Sequence, residues 1–236
     1  LDVADRRGRS TSLRIHDIDA DLLLSQGKLE VRKLSCRVGP SSTLAISGTL
    51  GEFPRRPQLA VRVQLNDWTL DPQAHPDTLV YSDPIRQWLG GPLRQFLEQY
   101  QPRGRGDIDI DCKGPLLEPG KIQLSGVVRC RDIAVQYEKF PYRLEQTEGV
   151  IEVTQDSAIF DSLRARHGPV HLALSGRVQS QGNKRQLRVT SENMLLDQDL
   201  YNAISEKQKA LWFTFSPHGP ARIDFRYQAE GDQPPN

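Results

Sequence analysis

Five histidines, three cysteines and a row of three aspartates are the residues of this 236-residue chain with the best claim to chemistry. Of His16, His75, His167, His171 and His218, only His167 and His171 have a metal-ligand spacing, which serves when both sit on one helix face. In His167-Gly168-Pro169-Val170-His171 the glycine and proline break any such helix, and the segment reads as a turn entering a strand. Asp107, Asp109 and Asp111 alternate with Ile108, Ile110 and Cys112, as the wet and greasy faces of one strand would. They lack the glycine-bearing loop of an EF-type calcium site and read as a solvated face.

Cys36, Cys112 and Cys130 are too few for a disulfide framework or a CxxC metal site. A hairpin centred near Leu117 sets Cys112 opposite about residue 122, away from Cys130. Gly104 and Gly106 lack the third glycine and the helix of a nucleotide fingerprint and read as a turn. Arg103, Arg105, Arg129 and Arg131 read as a solvated face, or as contacts to phosphate head groups if adjacent strands gather them. There is no GxSxG, no P-loop, and no Cys with a plausible His partner; Ser125 and Ser175, each in Leu-Ser-Gly, read as strand-end residues. The expectation is a protein with no catalytic residue, no metal and no cofactor.

The elements that position these residues are mostly strands. A net charge of +1 with basic residues spread along the chain argues against nucleic acid. No apolar run approaches the roughly 18 residues needed to span a bilayer. Alternating or β-rich runs bounded by Gly, Pro or Asn recur: LAISGTL from Leu44, LAVRVQL from Leu59, GDIDIDCKG from Gly106, KIQLSGVVRC from Lys121, GVIEVT from Gly149, PVHLALSGRV from Pro169, QLRVT from Gln186 and ARIDFRY from Ala221. Two segments break the pattern. Residues 84–100 place Ile85, Trp88, Leu89, Phe96, Leu97 and Tyr100 at helical spacings, with a joint at Gly90-Gly91-Pro92. Residues 199–215 carry Leu200, Ile204, Leu211 and Trp212 on a second helical stripe.

The chain also repeats itself. LSCRVGPSSTLAISGTL from Leu34 parallels LRARHGPVHLALSGRV from Leu163, and QLAVRVQLNDWTLD from Gln58 parallels QLRVTSENMLLD from Gln186. FLEQYQPRGRGDIDIDCKG parallels LWFTFSPHGPARIDFRYQAEG, with Pro102 and Gly104 over Pro217 and Gly219. A looser block sets Ile18 over Ile133 and Gly27 over Gly149. The division expected is residues 1–115 and 116–236, two copies of one unit and together a piece of a longer protein.

One or two short helices per copy cannot cover the apolar faces of so many strands. The fold expected is mainly β: a curved antiparallel repeating β-groove, or open barrel-like sheet, with one or two short amphipathic helices and a greasy trough. The run Lys121–Val178, with its "DI", its Phe140-Pro141-Tyr142, its GVIEV and its LSGRV, resembles the AsmA-like family, the TamB and YhdP relatives of bacteria with two membranes. Residues 29–50 share the resemblance in the first copy.

The resemblance implies a repeating β-groove protein of the periplasm, anchored in the inner membrane by a helix outside this chain. Its groove carries phospholipid acyl chains toward the outer membrane, and neighbouring repeats of the same chain are its other partners. The working residues would then be Leu44, Ile46, Leu59, Val61, Ile108, Ile110, Ile122, Leu124, Leu172, Leu174, Ile223 and Phe225. The same residues would fill the core of a closed β-sandwich, and a structural or protein-interaction module of the cell envelope is the rival function. A continuous exposed apolar strip would favour lipid, and a trough filled by its own side chains the rival.

Overall fold

The computed structural model describes residues 2–4, 10–12, 15–38, 41–52, 55–70, 99–138, 140–179 and 183–231. A two-stranded pair, β1 (Asp2–Ala4) with β2 (Ser10–Ser12), stands apart from one large sheet. The large sheet holds β3 (Ile15–Ser25), β4 (Lys28–Val38), β5 (Ser42–Gly51), β6 (Gln58–Leu70), β7 (Arg103–Pro115), β8 (Gln123–Tyr137), β9 (Phe140–Thr154), β10 (Ser157–His167), β11 (Val170–Gln179), β12 (Lys184–Leu196) and β13 (Gly219–Ala229). Its eleven strands lie in chain order, each antiparallel to the next, and the sheet is open. The mainly β fold read from the alternating runs is the one observed. The boundary placed at 115/116 falls at the β7–β8 connection, inside this continuous ladder.

The repeated blocks fall on equivalent strands. Leu34 and Leu163 begin matching stretches of β4 and β10, and Gln58 and Gln186 lie at the starts of β6 and β12. Irregularities recur as well. The β4–β5 register shifts between Val31 and Leu34, and the β10–β11 register between Phe160 and Leu163. Between β6 and β7 it shifts from Leu65 to Trp68, and between β12 and β13 from Ser191 to Met194. Two bulges at matching places are features of the unit rather than accidents of one strand, since each re-aims the side chains beyond it. The loose upstream block differs: Ile18 is on β3 and Ile133 on β8, whereas the strand order matches β3 with β9.

The helical stripe over 199–215 is split in two. Helix α1 (Gln198–Ala203) is capped by the Asp197 carboxylate, which accepts from the Leu200 amide, and α2 (Glu206–Phe215) starts at Ser205 with Gln208 closing a capping box. Ile204 therefore ends the first helix rather than joining a stripe. The helix read over 84–100 lies outside the described residues except for Gln99 and Tyr100, which are helical.

Helix α1 packs mainly against β9 and β12, which are separated in the sheet by two other strands. Its Ala203 and Leu200 sit among Tyr142, Val170, Leu172 and Met194, so the sheet wraps its apolar side around the helix. A second buried cluster, Leu65, Trp68 and Ile133, lies where β6 and β8 approach the same rim. Both clusters therefore sit at the rim that carries the long connections, while Ile122 is buried at the opposite one. The other rim has short turns such as Ser25–Lys28 and Thr154–Ser157.

Candidate functional site

Cross-strand pairing settles which residues share a face. One row runs Leu44, Leu65, Ile108, Val128, Ile151 across β5 to β9, and the next runs Ile46, Val63, Ile110, Gly126, Val153. Val153 pairs with Ala158, and Ala158 with Val178, which carries the face onto β10 and β11. A third row, Leu174, Val189, Phe225, reaches β13. The remaining residues of the expected groove fall into place on this side. Leu59 pairs with Gly114, Val61 and Leu124 both pair with Cys112, Ile122 abuts Gly114, Leu172 pairs with Ala165 and Ile223 with Ser191. All twelve thus lie on one face of one sheet.

They divide by burial. Ile122 and Leu172 are in the core, Phe225 is half exposed, and the other nine are partly covered. Toward the short-turn rim the cover thins: Leu22, Leu24 and Val178 of the same face are 51%, 70% and 42% exposed. Leu22 and Leu24 escaped the sequence reading because Leu22-Leu23-Leu24 shows no alternation, though Leu23 points to the other face opposite Glu30. Val63, Val128 and Val153 lay within the alternating runs and were legible by the same period. Among the described residues α1 packs on the core end of this face, and Leu211, Phe213 and Phe215 of α2 are themselves exposed.

No family model, curated protein or solved structure matches the chain. The face itself therefore has to carry the functional reading.

The opposite face is charged and cross-braced. Arg62 grips Asp109 with two bonds of 2.7 and 2.6 Å, and Arg188 grips Asp224 with two of 2.9 Å. The aspartates read as one solvated row are not alike: Asp111 is exposed, Asp109 is partly covered and Asp107 is only 6% exposed. Asp107 turns inward because the β6 bulge presents the Asp67 amide to it at 3.0 Å, while Arg131 donates to it at 2.5 Å and to Asp67 at 2.8 Å. Among Arg103, Arg105, Arg129 and Arg131, the last is thus committed to carboxylates rather than to an anion site. His167 sits on the apolar face, stacked on Tyr142 with its Nδ1 2.8 Å from the Arg143 carbonyl, whereas His171 is on the polar face. The two cannot meet one metal.

Two expectations are corrected here. Gly104 and Gly106 are not a turn but lie inside β7, where the β8 backbone passes close. Ser175 is mid-strand, paired with Arg188 on the polar face, while Ser125 is the third residue of β8, near the strand's start, and pairs with Asp111. Cys112 lies opposite Leu124 rather than residue 122, still away from Cys130, and burial raises the pKa of the Cys130 thiol to about 11. The three cysteines are free thiols.

The grip of Arg188 and then Arg226 holds Asp224 at about 2, and Arg62 followed by Gln64 lowers Asp109. A carboxylate depressed on folding stabilises fully above its unfolded value, near 4, and that contribution is lost as pH falls through the folded value. Thermal unfolding followed by circular dichroism should therefore show a melting temperature that drops between about pH 4 and pH 2. The drop should be shallower in Asp109→Asn with Asp224→Asn, and an unchanged slope would refute this assignment.

Proposed function

We propose that this chain is a lipid-sheltering segment of a cell-envelope protein of the AsmA-like kind, with the apolar face as its path for phospholipid acyl chains. On this reading it works in the periplasm and is held to the inner membrane by a segment outside this chain. The observation that carries the reading is the continuity of the apolar rows across an open sheet on which, among the described residues, helix packing is confined to one end. Each methylene withdrawn from water is worth about 0.8 kcal/mol, so an uninterrupted apolar path lowers the cost of moving an acyl chain without any reacting group. The lateral row Ile46, Val63, Ile110, Gly126 and Val153 is what makes the path run across strands rather than along one of them.

A non-catalytic bracing or interaction module is the second reading, and the buried clusters around Trp68 and Val170, which fill one end with the chain's own side chains, favour it. Native mass spectrometry of the purified protein separates the two. Phospholipid-sized adducts are expected on the native chain and should be depleted by Ile110→Asp with Val63→Asp, changes at partly covered positions. Adduct-free spectra from several preparations would overturn the lipid reading and leave the brace.

A further inference from the structure

A cavity of about 500 Å³ opens on the charged face, beside the tip of the β10–β11 hairpin. The flanking strands create it. β9 slips out of register with β10 between Glu148 and Glu145, with Gln146 at φ 48°. On the other side β12 leaves β11 after the Ala173–Thr190 pair. Asn193 bridges that split with its side chain: Oδ1 accepts from the His171 amide at 3.1 Å and Nδ2 donates to the Pro169 carbonyl at 2.9 Å. A bulge re-aims the side chains around it, and two at one level leave a hollow floored by the small Ala173.

Arg164 and Arg166 line this hollow, with His171 directly opposite Arg166. Two residues apart on one strand, the arginines share a face at a spacing of about 7 Å. Among the described residues neither guanidinium has an ion-pair partner, and the His171 ring has no hydrogen bond. Elsewhere on the sheet Arg62, Arg131, Arg143, Arg188 and Arg222 each hold a carboxylate. Two of the acids nearest the hollow are already engaged, Glu145 by Arg143 at 3.1 Å and Glu192 by Arg222 at 3.2 Å. Glu148 stands opposite Arg164 in the ladder without closing an ion pair. The first copy serves as an internal comparison. There Ser35 takes the place of Arg164, and Arg37, in the place of Arg166, is held by Asp17 at 3.4 Å. The unit folds without an unpaired arginine couple, so the couple is not a requirement of the fold.

We infer that the hollow between Arg164, Arg166 and His171 is a binding site for a phosphate group. A tetrahedral oxyanion offers oxygens to two guanidinium groups at once, and such charge-assisted bonds are the strong ones. A His171 ring N–H adds a third donor from the facing strand. Glu148 weakens the site by its charge and sets a limit on its affinity. The site lies on the face opposite to the apolar rows and stands whether or not acyl chains bind there.

The test titrates the intact, isotope-labelled chain with inorganic phosphate at constant ionic strength, balanced with chloride, and follows the arginine Nε–H resonances by NMR. Those of Arg164 and Arg166 should move together and saturate with one constant, while that of Arg177, on the same face outside the hollow, stays still. Affinity should fall about tenfold or more with Arg164→Gln or Arg166→Gln, rise with Glu148→Gln and be unchanged with Arg177→Gln. All four changes fall on exposed positions, and melting curves report whether the fold is kept. Flotation with phosphatidylcholine vesicles containing phosphatidic acid tells the sources apart. Retention that needs both arginines assigns the site to a lipid head group, and phosphate saturation without retention assigns it to a soluble phosphate compound. A wild-type titration that does not saturate, or shifts shared equally by Arg177, would overturn the inference.

Discussion

Replacing Gly104 with alanine should break the centre of the sheet, at a cost of about 3 kcal/mol or more in urea unfolding. Two penalties coincide there. The backbone at φ +133° is one that side chains rarely adopt, and the added carbon would meet the Asp132 carbonyl and the Ile133 backbone, neither of which can rotate away. Either β7 separates from β8 or the bulge between Arg105 and Gly106 is rebuilt. Gly219→Ala is the internal control: the conformational strain is similar in kind, but the space is empty, so about 1 to 2 kcal/mol is expected. Equal losses at the two glycines would show that the close approach of β8 contributes nothing.

Leu172→Ala is the second large effect, expected to cost about 3 kcal/mol by chemical denaturation, within the range for emptying a filled aliphatic site. Leu172 is 5% exposed and packs with Tyr142, Val170, Met194 and Ala203, a cluster that joins β9, β11, β12 and α1. Phe225→Ala, at a larger side chain of the same face, should cost about 1 kcal/mol because Phe225 is 50% exposed. The contrast separates the two uses of one face: the part under α1 holds the fold together, and the part around Phe225 is left half open. If Phe225→Ala proved as costly as Leu172→Ala, the face would be a conventional core along its whole width.

Much of this arrangement was legible in the alternation. In Gly106-Asp107-Ile108-Asp109-Ile110-Asp111-Cys112 the period of two assigns each side chain to its face, and pairing confirms the faces residue by residue. What alternation hides is a bulge. At Asn66-Asp67 the period slips by one residue, which brings Trp68 onto the apolar side and draws Asp107 out of solvent. β10 was missed as a strand for the same reason, since its pairing with β11 slips between Phe160 and Leu163. β3 was missed because the Leu22–Leu24 run is apolar on both sides.

The break between α1 and α2 had a signal that the helical stripe overrode: Ser205 followed three residues later by Gln208 is a capping box. Burial at the face was the least legible property. Leu172 and Leu174 look alike in Pro169–Val178, and only the position of α1 over one of the two decides that Leu172 is in the core. The repeat itself was readable, but its use was not. That Gly219 lies open while Gly104 is tightly covered depends on what sits beside each strand, which no residue count within a strand reports.

The meander order of the sheet also bears on how the chain reaches this state. Every rung from β3 to β13 joins strands that are neighbours in sequence, so most pairings close a short loop and the entropy of closure is met a little at a time. The two expensive closures are β6 with β7, across residues 71–102, and β12 with β13, across residues 197–218, which hold α1 and α2. Low contact order of this kind favours quick assembly, with hairpins adding as the chain emerges during synthesis and no late wait for distant segments. The same order makes the sheet a row of nearest-neighbour bonds, as in repeat proteins, so opening starts at β3 or β13 and travels inward strand by strand.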